Sequence, residues 1–425
     1  MLNTTSVETV NNAKFSQDFV QPLYASYCFS NIPRTIKYLL TGEGESALPQ
    51  DVFGNLPTRY NKVILFFVDA LGWRFFEHYA PRYSFLKHLL NEGVVSKLTS
   101  QFPSTTAAHT ATIHTGLEVG QSGVYEWHYY EPLVDEIITP LFFSYAGDKE
   151  RDTLKRAGLA AEAFYPRHTF YQELKNAGVT SHIFQHEGYT PSTPSNVYFR
   201  GASVYPFRAF ADALAQMTEL LQKDTQAPEY YFLYFDRIDF AGHQYGPHSE
   251  QFEQAVELFM NTMEQKFYLT LSGKLPTTLF MMTADHGQME VSPQKTFYLN
   301  REAREIERYL KTNQKGKLLV PAGSARDMFL YIEDEHIDTA ISYLQERLAG
   351  KAEIHRVQDL LARHFFGLNE PSTEFLSRVG SVVILPYKHE SVWWYEEGRF
   401  RMHFLGNHGG LTPEEMHIPL ALLPL

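Results

Sequence analysis

Four short segments of this chain hold three carboxylates and three imidazoles that could bind metal. Asp69 ends the apolar run Lys62–Leu71 (KVILFFVDAL), and Asp239 and His243 stand four apart in DRIDFAGHQYGPH. Asp285 and His286 adjoin in MTADHG, and His408 lies in GNHGG near the C-terminus. Mixed oxygen and nitrogen donors suit Zn2+ or, among other first-row ions, Mn2+. Six such donors exceed one tetrahedral zinc and suit two ions that flank a substrate oxygen. Glycines beside His243, His286 and His408 let the backbone approach an ion without a Cβ clash.

A fifth segment, PSTTAAHTATIHTG from Pro103 to Gly116, offers a nucleophile. Pro103 and the hydroxyls that follow are helix-start signals, and Gly116 is a natural residue to end the helix. Ser104, Thr105 and Thr106 therefore cluster at a helix N-terminus, where free N–H groups and the positive dipole end attract a phosphate or sulfate. A hydroxyl is a weak nucleophile at its own pKa, and a divalent cation is the activator it lacks.

Taken singly, these segments read as helix caps, turns and an exposed histidine. Jointly they read otherwise, because three of the four ligand segments follow buried-strand patterns. The run Lys62–Leu71 is too uniformly apolar for a half-exposed strand and suits a strand covered on both faces. Tyr230–Asp239, Thr277–Asp285 and, more weakly, Ser181–His186 share its design. Amphipathic helices are expected near Phe207–Gln222 and Gln251–Leu271, so strands alternate with helices. That pattern predicts an α/β fold with a central, mostly parallel sheet and helices on both faces. Ligands of such sheets sit beyond the carboxyl ends of the strands, where Asp69, Asp239 and Asp285 would project.

Residues 1–60 read as a helical lead-in, and residues 61–425 as the catalytic domain. Two stretches fit the sheet pattern poorly, about 140–204 and about 296–399, and are expected as insertions forming a cap. The second contains a helix candidate at Ile337–Leu348 and a strand-like run at Val379–Leu385. His417–Leu423 reads as one more strand.

Composition narrows the partners. At 425 residues, with 44% hydrophobic and 20% charged content, the chain is ordinary globular material. A net charge of −12 argues against polymeric nucleic acid and anionic membrane surfaces. The single cysteine, Cys28, excludes an intrachain disulfide framework and a cysteine-built zinc site. With no leader-like N-terminus and no long apolar span, a cytoplasmic location is expected.

The five motifs, in this order, resemble the alkaline phosphatase superfamily, specifically its type I phosphodiesterase/nucleotide pyrophosphatase branch. The family pattern is Pro-x-x-Thr, with Thr-Gly nine residues after the nucleophile. Pro103 and Thr115 both point to Thr106. The resemblance implies that Asp69, Thr106, Asp285 and His286 hold one ion, and Asp239, His243 and His408 the other. It further implies hydrolysis of phosphodiester or pyrophosphate bonds in small, nucleotide-like phosphate esters through a phosphothreonine. A phosphomonoesterase or phosphonate hydrolase on the same site, and a non-catalytic binding protein on this fold, are the alternatives. A sulfatase is disfavoured, because its formylglycine is made from Cys or Ser in a different motif, and Cys28 lies outside these segments.

The chain departs from the family pattern twice. The family's Asn three residues after the nucleophile is His109 here, and the position of its phosphate-binding Asn falls on Trp127. His109 and Trp127 are therefore the candidate substrate-binding residues.

Overall fold

The computed structural model describes residues 1–425. Seven strands form the central sheet: β1 (Lys62–Val68), β2 (Val94–Thr99), β3 (Thr180–His186), β4 (Ser203–Phe207), β5 (Glu229–Phe235), β6 (Thr278–Thr283) and β7 (His417–Pro424). Their spatial order is β2-β7-β6-β1-β5-β3-β4. Every residue of β1 is buried, as its unbroken apolar run requires when both sheet faces are covered. β1 pairs parallel with β5 and β6, and β3 pairs parallel with β4 and β5.

β7 alone runs antiparallel to its neighbours, β2 and β6. The chain delivers His408 at the carboxyl edge of the sheet and begins β7 nine residues later, so that strand must run back down. The helix expected near Phe207–Gln222 spans Phe210–Leu221. The one expected at Gln251–Leu271 begins as Glu250–Thr262 and continues through a π-helical turn at Met263–Tyr268.

Residues 1–60 contain helices Thr4–Asn11 and Ile32–Thr41 and bridge to β2 at Leu2–Val95 and Cys28–Thr99. Cys28 is fully buried, and burial pushes its thiol up to about 11, which leaves it inert.

The stretch about 140–204 needs correction as an insertion, because β3 and the start of β4 lie inside it and belong to the central sheet. The polar interruptions in SHIFQH mask β3, which lies one strand from the sheet edge. A small antiparallel sheet at Tyr129–Glu131, Glu136–Thr139 and Ser144–Tyr145 begins before the expected boundary. The stretch about 296–399 holds a second antiparallel sheet, with Val382–Pro386 between Met328–Leu330 and Ala352–Arg356, and helix Ile337–Arg347. Leu299, Ile306, Leu330, Leu344 and Ile384 pack within an apolar cluster of its own. No helix is long and apolar enough to cross a membrane.

Candidate active site

Asp69 directly follows β1, and Asp285 and His286 follow β6 by one residue. Because β1 and β6 are adjacent and parallel, their ends deliver these residues side by side. Asp239 and His243 stand one turn apart on helix Arg237–Tyr245, which follows β5. His408 arrives by a different route: Gly406–Asn407 pairs antiparallel with Met289–Glu290, tying the C-terminal motif to the segment just after His286.

The result is two sets of donors. Asp69, Asp285 and His286 form one, Asp239, His243 and His408 the other, and within each set the donor atoms lie within 4.8 Å of one another. His286 Nε2 is 3.5 Å from Asp69 Oδ1 and 3.1 Å from Asp285 Oδ2. His243 Nε2 is 3.4 Å from Asp239 Oδ2, and His408 Nε2 is 3.8 Å from Asp239 Oδ1. The His286 and His408 rings stack with centroids 3.6 Å apart and bridge the two sets.

The tautomers favour cations. Each imidazole donates from Nδ1 to a backbone carbonyl: His286 to Gly287 at 2.9 Å, His243 to Gly406 at 2.7 Å and His408 to Ser104 at 3.0 Å. In the neutral rings Nε2 then carries a lone pair directed into the site. The Nε2 atoms of His243 and His408 face one another at 3.2 Å. Two lone pairs do not bond, so the pair calls for a cation. Asp69 Oδ1 and Asp285 Oδ2 are likewise buried without hydrogen-bond partners.

Protonation follows the same logic. Burial, reinforced by the charges of Asp285 and Asp239, pushes Asp69 well above the carboxylate range. Asp239 is also raised by burial, partly offset by His243 and His286. Burial, with the neighbouring His286 and His243, pushes His408 far below the usual imidazole value. Only Asp285 and His286 run the other way. Burial opposes both their charges, but their mutual attraction prevails, lowering Asp285 and raising His286. Divalent ions would remove the need for these compromises by neutralising the carboxylates directly.

Thr106 is the first residue of helix Thr106–Thr115, with Thr105 as its extended N-cap. Its Oγ1 lies 3.2 Å from His286 Nε2, which singles it out from Ser104 and Thr105. Ser104 instead fastens the turn: its N–H donates to Gly409 O at 3.2 Å, its hydroxyl donates to Gly410 O at 2.7 Å, and Gly409 N donates to that hydroxyl at 3.2 Å. Beneath Thr105 lie two buried carboxyls, Glu126 and Asp327. Burial pushes Glu126 up to about 7, and burial together with the charge of Glu126 raises Asp327 strongly.

His109 does not face the cleft. It is fully buried, its Nδ1 donates to Thr105 O at 2.8 Å, and its Nε2 accepts from Gln101 N at 3.1 Å. Phe29 packs edge-on against its ring at 4.6 Å. One helical turn beyond Thr106 points into the core here, because the lead-in covers that face. Trp127 does line the cleft, beside Thr106 and Asp239.

Burial pushes His109 down to about 4 and His114, on the same helix, to about 3. Between these values and about 6.5 the unfolded chain binds protons that the folded chain refuses, so stability falls as pH drops. Each histidine contributes a slope of up to about 1.4 kcal/mol per pH unit. Urea midpoints of the metal-stripped protein at pH 7.5 and 5.0 are expected to converge by one histidine's share in His114→Gln. An unchanged pH difference would count against this.

Several contacts to the candidate donors have no sequence signal as strong as the donors themselves. Tyr234 donates its hydroxyl to Asp69 Oδ2. Gln288 Nε2 donates to Asp239 Oδ1 at 2.6 Å and to Asp239 O at 3.0 Å, while Arg74 holds the Gln288 carbonyl. Gly242 makes room for Gln288: a Cβ there would stand 1.8 Å from Gln288 Oε1. Its place two residues after His286 is the one hint the sequence carries. Such orienting partners matter to metal affinity by about 10- to 100-fold. Gln288→Leu is expected to weaken metal retention by that factor in a chelator competition, and retention equal to that of the parent chain would refute the role.

A family model described as type I phosphodiesterase / nucleotide pyrophosphatase matches residues 63–411. No curated protein matches the chain. Among solved structures, murine ectonucleotide pyrophosphatase/phosphodiesterase 5 superposes with a TM-score of 0.61 at 18% identity, covering 85% of this chain and 87% of its own. An inactive form of that murine protein in complex with AMP gives 0.60 at 18% identity, with the same coverage. The human counterpart gives 0.61 at 16% identity, again over 85% and 87%. At these identities the structural likeness establishes the fold, and the family match over most of the chain establishes descent. The chain belongs to the type I phosphodiesterase/nucleotide pyrophosphatase family and is a hydrolase of that kind.

Proposed function

We propose that the protein hydrolyses small phosphodiesters or pyrophosphates of the nucleotide type, with Thr106 as nucleophile and two divalent cations, Zn2+ foremost, as cofactors. The supporting observation is the placement of Thr106 Oγ1 at 3.2 Å from His286, in a cleft it shares with Asp69 of one donor set and Asp239 and His243 of the other. Asp69, Asp285 and His286 would hold one ion together with Thr106, and Asp239, His243 and His408 the other. Bound there, the ions supply positive charge for the Thr106 oxygen and for the phosphoryl oxygens.

The chain's own groups do the rest. The first-turn N–H groups of helix Thr106–Thr115 face the phosphate and orient it. Thr106 Oγ gives its proton to solvent water and bonds to phosphorus in line, and the bond from phosphorus to the leaving oxygen breaks. That oxygen leaves as an alcohol or phosphate after taking up a proton. A water then bonds to phosphorus, the bond to Thr106 Oγ breaks and the hydroxyl is restored. Tyr234 and Gln288 keep Asp69 and Asp239 in register throughout.

The test compares an aryl phosphodiester with the corresponding aryl phosphomonoester, alongside measured metal content. Stoichiometric divalent metal and a higher kcat/KM on the diester are the expected results. Preference for the monoester would move the reading to a phosphomonoesterase. Absence of both metal and activity would overturn it.

A further inference from the structure

Ala70 directly follows Asp69 and is fully buried, with a φ of 61° in the left-handed region that a residue with a side chain seldom adopts. Packing holds it there. The Gly72 N–H closes the turn onto Ala70 O at 2.8 Å. A Cβ on Gly72 would stand 2.5 Å from Gly287 Cα, and one on Gly287 would collide with Glu414 O. The Gly287 N–H is fixed in turn to Glu415 O at 2.9 Å. The turn after β1 is thus pressed backbone to backbone against the chain after β6. Backbone strain persists where the surroundings over-determine it in this way.

The consequence falls on Asp285. The left-handed turn aims the Ala70 N–H at Asp285 Oδ1, 3.2 Å away, and the His286 N–H reaches the same oxygen at 3.0 Å. A carboxylate oxygen has two lone pairs, so these two donors fill Oδ1. Asp285 Oδ2 is left, buried without a hydrogen-bond partner and 3.1 Å from His286 Nε2. Asp69 is divided similarly: Tyr234 donates to Oδ2, and Oδ1 is buried and unpartnered. With His286 Nε2 and Thr106 Oγ1, the first set then offers four atoms, one from each residue. Four single-atom donors suit tetrahedral zinc, whereas octahedral, oxygen-rich coordination suits Mn2+.

Resting on the two-cation reading above, we propose that Ala70 is a positioning residue that sets metal selectivity. Its N–H withholds Asp285 Oδ1 from the ion, which keeps that carboxylate monodentate and the first donor set four-coordinate, and so favours Zn2+ over Mn2+. The determinant is one backbone N–H, placed by a strained turn.

Replacing Ala70 by lactic acid through nonsense suppression exchanges that N–H for an ester oxygen and leaves the methyl in place. A His243→Ala/His408→Ala background confines binding to the first set. There, chelator competition is expected to show Zn2+ affinity falling about 10- to 100-fold, the range for loss of an orienting partner. Mn2+ affinity should fall less, so the ratio of Zn2+ to Mn2+ affinity drops. Co2+ reports the geometry: the intense visible absorption of the four-coordinate ion in the parent background should give way to the weak absorption of a higher-coordinate one. Ala70→Gly keeps the N–H and fits the left-handed turn, so its ratio and spectrum should match those of the parent. A change in Ala70→Gly would assign the effect to the buried methyl and overturn the proposal. An unchanged ratio in the ester variant, or an equal loss for both ions, also overturns it. A cooperative urea transition reports that the ester variant is folded. Should it not fold, a crystal structure of the zinc-loaded parent chain decides: an ion bound by Asp285 Oδ2 alone supports the proposal, and one bound by both oxygens overturns it. Failure of the parent chain to bind any divalent ion overturns the two-cation reading itself, and this proposal with it.

Discussion

Thr106→Ala is expected to lower kcat/KM on an aryl phosphodiester by about 10⁴-fold or more, the scale on which a lone covalent nucleophile acts. The loss should come without unfolding, because Thr106 makes no hydrogen bond that holds the turn together. That task belongs to Ser104, through its three contacts with Gly409 and Gly410. Metal content should fall little, since His286, Asp69 and Asp285 remain. Thr105→Ala separates register from chemistry. Thr105 holds the N-cap position but its side chain makes no cap hydrogen bond, so its loss should cost less than about 1 kcal/mol of stability and a modest part of the rate. Full activity in Thr106→Ala combined with loss in Thr105→Ala would overturn the assignment.

Glu415→Ala is expected to be the most damaging substitution to stability, costing about 3–5 kcal/mol. Arg326 and Glu415 are both fully buried. The carboxylate accepts from Arg326 Nε at 3.0 Å and Nη2 at 2.8 Å, from Gly410 N at 3.1 Å and from the Thr412 hydroxyl at 2.6 Å. Arg326 Nη1 also donates to the carbonyls of Tyr387 and Glu390. The pair thus bolts the second insertion to the loop that carries His408. Removing Glu415 strands a guanidinium in the core and frees that loop. Urea unfolding checks this, together with the double variant Arg326→Met/Glu415→Leu, which leaves no unpaired charge and should recover part of the loss. As a contrast, the exposed Arg82–Glu253 pair at 3.1 Å should be worth no more than about 1 kcal/mol. A Glu415→Ala midpoint equal to that of the parent chain would refute the role of the buried pair.

The parts of this molecule legible in its sequence are those written in local pattern. β1, β5 and β6 announce themselves as unbroken apolar runs because parallel strands covered on both faces have no reason to alternate. The candidate donor sets that the structure brings together were legible for a related reason: each carboxylate or imidazole stands at or just beyond a strand end, or one helical turn from its partner. β3 was weaker, since a strand near the edge of a sheet tolerates the polar residues of SHIFQH, and the insertion boundary drawn through it erred accordingly. The orientation of His109 could not be read from spacing. One turn after the nucleophile is a statement about the helix, while which side of that helix is covered depends on Phe29 in the distant lead-in. The same holds for Gln288, Tyr234 and Glu415, whose roles exist only because other segments lie against them.

By itself, the sequence determined the α/β class, the family and the candidate donors, because periodicity and short motifs are local and survive without a fold. Only the tertiary structure decided how those donors divide and what surrounds them. It aimed three Nε2 lone pairs inward through hydrogen bonds to backbone carbonyls. It turned His109 into the core. Those are facts about contacts between residues far apart in the chain, and such contacts are set by packing.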